Sequence, residues 1–282
     1  MDNYYEVKIS FNKENYEHLQ NRLYMQGIKN ILEDNGFLII YFAEIDAENI
    51  DSLKVFLLNE KVIKEKDFEV NKFINKNWNE EWEKSIEPVY IKNKIVIYPS
   101  WKKNSLKNIE NKILIEIDPR MSFGTGHNET TQLVLELMCD YINGNEMKLL
   151  DFGCGTGILT IAGIKLGVYE ALAIDIDEDS INNADEYFRT NSVQHKIRLL
   201  KANISDIDED SFDVVCANII RSVIIENIEH ISKKLKFKGK LFMSGILVSD
   251  DQEILECLIQ HNFEIIDIVN KSEWISIYAL KI

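Results

Sequence analysis

Three glycines on alternate positions, Gly153, Gly155 and Gly157, close the apolar run LLDFGCGTG at 149–157, and an acidic residue, Asp175, follows 22 positions after the first. Glycine reaches positive φ and has no Cβ, so such a turn lets a ligand lie against the backbone. A carboxylate about 20 residues past a glycine turn suits a ribose, because it accepts hydrogen bonds from both hydroxyls. Asp177 offers the same chemistry, but it stands where it can instead cap a helix at 178–191. Asn218 ends another apolar run, FDVVCA at 212–217, and its amide can both donate and accept. Ala202-Asn203, after a strand at 197–200, sits where an adenine would lie. Taken alone, G-x-G-x-G also fits an ordinary turn of any α/β protein.

These residues need a scaffold, and the C-terminal half supplies a regular one. Strands are expected at 149–152, 171–174, 197–200, 212–217 and 240–244, with helices following Gly157 and at 178–191, 222–235 and 250–261. Strand, glycine turn and helix in that order open a nucleotide-type site. Two strands, 263–269 and 274–282, then close the sequence with no helix between them. A dehydrogenase sheet would continue in parallel βα units, whereas an antiparallel closing pair marks the methyltransferase variant. The turn, D-x-G-x-G-x-G from Asp151, also lacks the G-x-G-x-x-G spacing that sets a pyrophosphate on a helix N-terminus. It suits a cofactor without phosphates, and S-adenosylmethionine is such a cofactor.

The N-terminal third reads as a strand at 4–10, a helix at 13–26 ended by Gly27, and a hairpin of 28–34 with 37–45 about Asn35-Gly36. A helix at 50–58, capped by Asp46 or Asn49, and a strand at 67–73 follow. The order β-α-β-β-α-β is ferredoxin-like, a module suited to recognising a partner. Next, Trp78 and Trp82 share one helical face, either packed between domains or lining a substrate groove. Strands at 89–91, 94–98 and 113–117 flank a polar loop at 102–112. DPRMSFGTGHNETT at 118–131 is an adaptable loop until Glu129 or Thr130 starts a helix, and loops so placed close over ligands. The fold class is α/β: a Rossmann-like class I methyltransferase sheet, parallel with an antiparallel C-terminal strand, plus a small α+β ferredoxin-like domain. The expected division is 1–74 for substrate recognition, 75–120 as connector and pre-sheet strands, and 121–282 for the cofactor.

Bulk properties narrow the partners. A net charge of −15 disfavours nucleic acid, which needs cations to displace counterions, and leans towards a cationic partner. Cys139, Cys154, Cys216 and Cys257 show no C-x-x-C spacing, so no zinc site or disulfide framework is expected, and no metal. The start, MDNYYEVKIS, is not a signal peptide, and no apolar run approaches the roughly 20 residues of a membrane helix. A cytoplasmic monomer is the expectation.

As a set, FGTGHNETT at 123–131, IDID at 174–177, CANII at 216–220, SGIL at 244–247, IYPSW at 97–101 and EW at 273–274 resemble the ribosomal protein L11 methyltransferase (PrmA-type) family. The resemblance runs from about residue 77 onward; the N-terminal third resembles that family's recognition domain only in element order. It implies S-adenosylmethionine as methyl donor, held by Thr131, Gly153, Asp175 and Asn218. It implies methylation of amino groups of ribosomal protein L11, on lysine side chains and with the N-terminal amine as a further acceptor. Asn218, beside the expected methyl, is the candidate catalytic residue, because its amide or adjacent carbonyls can orient the acceptor nitrogen. The family usually has a histidine where this chain has Asn128, with His127 just before it. Rival readings are a methyltransferase of the same fold acting on another protein, a small molecule or nucleic acid, and a non-catalytic binding module. Enzymes acting on glutamine amides or adenine amines carry N-P-P-[YF], where this chain has Asn218-Ile219-Ile220-Arg221. The intact glycines and Asp175 speak against a module without catalysis.

Overall fold

A computed structural model describes residues 4–12, 15–28, 30–34, 36–73, 86–118 and 126–282. Asn35, Trp78, Trp82 and the first three residues after Ser122, in the FGTGHNETT motif, lie outside the described residues. The chain divides into two compact units, Met1–Ser85 and Ile86–Ile282.

In the first unit, β1 (Tyr4–Ser10), β2 (Leu32–Asp34), β3 (Phe37–Ala43) and β4 (Phe68–Phe73) form an antiparallel sheet in the order β2-β3-β1-β4. Helix α1 (Tyr16–Met25) lies between β1 and β2 in sequence, and α2 (Glu48–Asn59) between β3 and β4. This is the split βαβ arrangement. Leu19 and Leu23 on α1 and Leu53 and Leu57 on α2, each pair one helical turn apart, are buried with Val7, Ile9, Leu38 and Ile40. The strand expected from Ile28 begins only at Leu32. Gly27, at φ +80°, donates to the Tyr24 carbonyl (2.9 Å), and Ile28 N–H donates to the Leu23 carbonyl (3.1 Å). That Schellman closure spends Ile28 on ending α1. Neither Asp46 nor Asn49 caps α2. A 3-10 turn at Glu44–Asp46 runs into the helix through Ala47, with no side-chain cap.

In the second unit, β5 (Val89–Ile91), β6 (Ile95–Tyr98) and β7 (Ile113–Glu116) form a small sheet. The stretch expected as a polar loop opens with a 3-10 helix, Ser100–Ser105. The main sheet contains β8 (Lys148–Phe152), β9 (Glu170–Asp175), β10 (Ile197–Lys201), β11 (Phe212–Asn218), β12 (Leu235–Leu247), β13 (Phe263–Lys271) and β14 (Trp274–Lys281). Its order is β10-β9-β8-β11-β12-β14-β13. Pairings from β10 to β12 are parallel, and those of β14 with β12 and β13 are antiparallel. The antiparallel closing pair read from the sequence is therefore present.

Successive residues of the central strands point into two separate cores, which is why these strands read as continuous apolar runs. Leu149, Ala173, Val214 and Cys216 face one side, with α3 (Glu129–Tyr141), α4 (Ile158–Leu166) and α5 (Glu178–Thr190). Leu150, Leu172, Ile174 and Val215 face the other, with α6 (Arg221–Lys234) and α7 (Asp251–Gln260). Cys139, Cys154 and Cys216 are buried packing residues, and burial pushes each thiol up. Near the N-terminal end of β8, Glu146 accepts from the backbone of Gly144 (2.9 Å) and from Lys240, and Asp213 accepts from the backbone of Met147 (3.0 Å) and Lys148 (2.9 Å) and from Lys236. Burial pushes both carboxyls upward, but their ammonium partners and backbone donors prevail and hold both below their ordinary range. No helix among the described residues is long and apolar enough to cross a membrane.

Candidate active site

The sheet reverses its winding between β8 and β11, and a crevice at the C-terminal ends of strands around such a point is where α/β sheets bind ligands. A cavity of about 740 Å³ lies there, lined by Gly153, Gly155, Asp175, Asn203 and Asn218 among others. A second cavity, of about 470 Å³, lies at the opposite ends of β8 to β10 and contains none of the candidate residues.

The glycine turn is pinned to β9. The N–H groups of Gly153 and Cys154 both donate to the Ile174 carbonyl (2.9 Å each), and Gly155 N–H donates to Asp175 Oδ2 (2.9 Å). Asp177 N–H donates to Asp175 Oδ1 (3.0 Å), so two backbone donors fix this carboxylate at the cavity wall. Asp177 takes the other role open to it. It caps α5, accepting from Ser180 N–H (3.1 Å) and Ser180 Oγ (3.0 Å), and the Ser180 hydroxyl and N–H hold its carboxyl below the ordinary range.

Gly153, Gly155 and Gly157 have φ of +74°, +53° and +74°, which glycine adopts freely. The space beside two of them is filled by protein. A Cβ on Gly157 would lie 2.3 Å from Phe188 Cε1, and one on Gly153 would lie 2.4 Å from Ile219 Cγ2. The missing side chains of these two thus admit neighbouring residues, while Gly153 and Gly155 still line the cavity with backbone.

Asp151, the first residue of the motif, is buried beneath the turn. Its Oδ2 accepts from Thr160 N–H (3.1 Å) and Thr160 Oγ1 (2.6 Å) in the first turn of α4. Burial pushes its carboxyl up to about 6, against the opposing Thr160 hydrogen bonds, with the Asp175 charge adding to the rise. A carboxylate already occupies this helix N-terminus, so a pyrophosphate would meet negative charge there.

Asn218 Nδ2 donates to Thr131 Oγ1 (3.1 Å), while Asn218 Oδ1 is buried with no hydrogen-bond partner. Thr131 is fully buried and does not line the cavity; the adjacent Thr130 does, and its hydroxyl is also without a partner. Helical spacing does not separate the two threonines, because Leu133, Val134 and Leu137 follow Thr130 on its face just as Val134, Leu135 and Met138 follow Thr131, and all are buried. Sequence reasoning missed Thr130. It also missed Trp274, another lining residue. His127 Nε2 donates to the Glu87 carbonyl (3.1 Å) and its Nδ1 is buried and unpartnered, while Asn128 occupies the N-cap of α3 without a side-chain capping bond. Gln132 Nε2 donates to the carbonyls of Gly126 and His127 (3.1 Å each), and Lys271 Nζ donates to Gln132 Oε1 (2.7 Å). No local signal could have found that brace, whose ends lie 139 residues apart.

A family profile described as Ribosomal protein L11 methyltransferase (PrmA) matches residues 3–281. The chain belongs to that family. Among similar proteins, the ribosomal protein L11 methyltransferase of Acetivibrio thermocellus is 35% identical over 201 residues, 71% of this chain and 63% of that protein. The one from Thermoanaerobacter pseudethanolicus is 32% identical over 285 residues, 98% of this chain and 88% of that protein. The crystal structure of ribosomal protein L11 methylase from Lactobacillus delbrueckii subsp. bulgaricus is 27% identical, with a TM-score of 0.64, covering 70% of this chain and all of that one. The fold is the class I methyltransferase fold, and S-adenosylmethionine is the methyl donor. The residues present fit it: the Asp175 carboxylate faces the cavity, unpartnered hydroxyl and amide oxygens line it, and the α4 N-terminus is closed to phosphate.

Proposed function

We propose that this chain methylates amino groups of ribosomal protein L11, on lysine side chains and with the N-terminal amine as a further acceptor. The observation that carries the reading is Asn218 Oδ1, a buried acceptor without a partner at the cavity. Such an oxygen is costly to leave unsatisfied, and an N–H of an incoming amine satisfies it. Thr131 holds the other end of the amide, which leaves the oxygen free to accept from the nitrogen. S-adenosylmethionine supplies a methyl activated by its sulfonium. The chain's own task is in-line placement of the nucleophile.

An ammonium has no lone pair, so the amine must arrive neutral, and desolvation in the cavity favours that form. Ile219 and Val223 supply apolar lining, and Trp274 an aromatic wall. In this reading Asp175 holds the ribose hydroxyls, Gly153 and Gly155 give backbone surface, and Asn203 lies by the adenine. Thr131 acts through Asn218. The segment 1–74 selects the partner, 75–120 connects, and 121–282 carries the chemistry. The net charge of −15 supports a basic protein acceptor over a polyanion, and the setting is a cytoplasmic monomer.

The test is to incubate the protein with total ribosomal proteins and methyl-labelled cofactor, then map the label by peptide sequencing. Label on lysines of L11 is the expected result. Label confined to another protein would overturn the substrate and leave the chemistry standing.

A further inference from the structure

We propose that Ile219 is a positioning residue for methyl transfer, and that Gly153 and Gly245 are glycines because Ile219 occupies the space beside both. The proposal rests on the reading above, in which Asn218 orients the acceptor. Asn218 ends β11, which lies between β8 and β12, and Ile219 is the next residue. On the β8 side, a Cβ on Gly153 would come within 2.4 Å of Ile219 Cγ2. On the β12 side, a Cβ on Gly245 would come within 2.1 Å of the Ile219 carbonyl oxygen and 2.7 Å of its carbonyl carbon.

Gly245 lies where β12 breaks register with β14, between Met243 and Ile246, and its φ is +86°. The irregularity follows directly on Ser244, the partner of Asn218 in the β11–β12 ladder. It brings a bare Cα against the Ile219 peptide. The side chain of Ile219 is thus held by one flanking strand and its backbone by the other. The two grips hold Ile219, the residue directly after Asn218, by its side chain on one side and by its own carbonyl on the other. Thr131 then holds the far end of the Asn218 side chain (3.1 Å), so the amide is braced at both ends of the residue. Each glycine acts on the acceptor site through Ile219, and misplacing such a group by about 1 Å costs on the order of a hundredfold in rate.

The two grips make separable demands on substitution. Gly153→Ala meets a side-chain methyl that Ile219→Ala removes. Gly245→Ala meets backbone, which no side-chain change relieves. The strain of alanine at φ +74° is the same in both Ile219 backgrounds, so it cancels in a double-mutant cycle.

The experiment measures kcat on the acceptor protein and calorimetric S-adenosylmethionine affinity for Gly153→Ala, Ile219→Ala and the double variant. Ile219→Ala is expected to lower kcat about tenfold while cofactor affinity changes less than about threefold, and the conservative Ile219→Val, which keeps Cγ2, restores most of the rate. Gly153→Ala is expected to cost about tenfold less in the Ile219→Ala background than in the native one. Additive effects, or a native kcat for Ile219→Ala, would overturn the proposal. If Gly153→Ala does not fold, the contrast between alanine and valine at 219 decides. If the native protein labels no acceptor, the substrate reading fails, and the cycle is then read on cofactor affinity alone, where additivity still refutes the slot.

Discussion

Asp151 gives the sharpest test of the physics beneath the site. Its carboxyl is fully buried and pushed up to about 6, from an ordinary value of 3.8. A folded-state pKa above the unfolded one means the native protein binds more protons between those values. This group's contribution is therefore fully present below about pH 3.8 and is lost as pH rises through about 6. The whole span is about 3 kcal/mol, at 1.36 kcal/mol per pKa unit. Between pH 5 and 7.5 the integrated loss is about 1.4 kcal/mol. Asp151→Asn keeps the shape and an oxygen for Thr160 but cannot titrate. Urea unfolding of both proteins across this range should show the variant gaining on the native protein by about 1.4 kcal/mol from pH 5 to 7.5. The constant cost of the amide drops out, since only the slope matters. A flat difference, or one of opposite slope, would mean that the Thr160 bonds outweigh burial and would refute the reasoning.

Other expectations follow from named contacts. Asp175→Asn should weaken S-adenosylmethionine binding by about 10- to 100-fold in a calorimetric titration, as hydrogen bonds to a charged acceptor are worth about 1.5–3 kcal/mol; unaltered affinity would remove Asp175 from the ribose. Thr131→Val strands the Asn218 amide nitrogen and should cost about 1–3 kcal/mol of stability while lowering the kcat of the folded protein roughly tenfold or more. A drop in stability with native kcat would make the threonine merely structural. Lys240→Met leaves Glu146 charged and buried and should cost about 3–5 kcal/mol in urea unfolding near neutral pH. Glu146 and Asp213 have folded pKa values below the ordinary 4.5 and 3.8, so their contribution is present above those values and lost as pH falls through the folded ones. Acid unfolding that starts at lower pH in Lys240→Met than in the native protein would contradict this.

What the sequence disclosed were features encoded within a few residues of themselves. The glycine turn, Asp175 at a strand end and the two-sided apolar strands all follow from local pattern. Even the choice between Asp175 and Asp177 had a local answer, because Ser180 lies three residues beyond Asp177 and completes the cap. What stayed hidden depends on chain segments meeting in space. Gly153 and Gly245 are 92 positions apart in the numbering, and only the folded sheet places Ile219 between them. Likewise, the Lys271–Gln132 brace could not be read from either end. Element ends slipped where backbone bonds overruled propensity, as at Ile28, whose N–H closes α1 before any strand can start.

The strand order also carries a temporal consequence. β14 is synthesised after β13 yet lies between β13 and β12. On the ribosome, β13 therefore emerges with no place in the sheet, and Ile266 and Ile268, still exposed in the finished fold, have no neighbouring strand beside them. Completion of the sheet therefore waits for β14 to enter between β12 and β13.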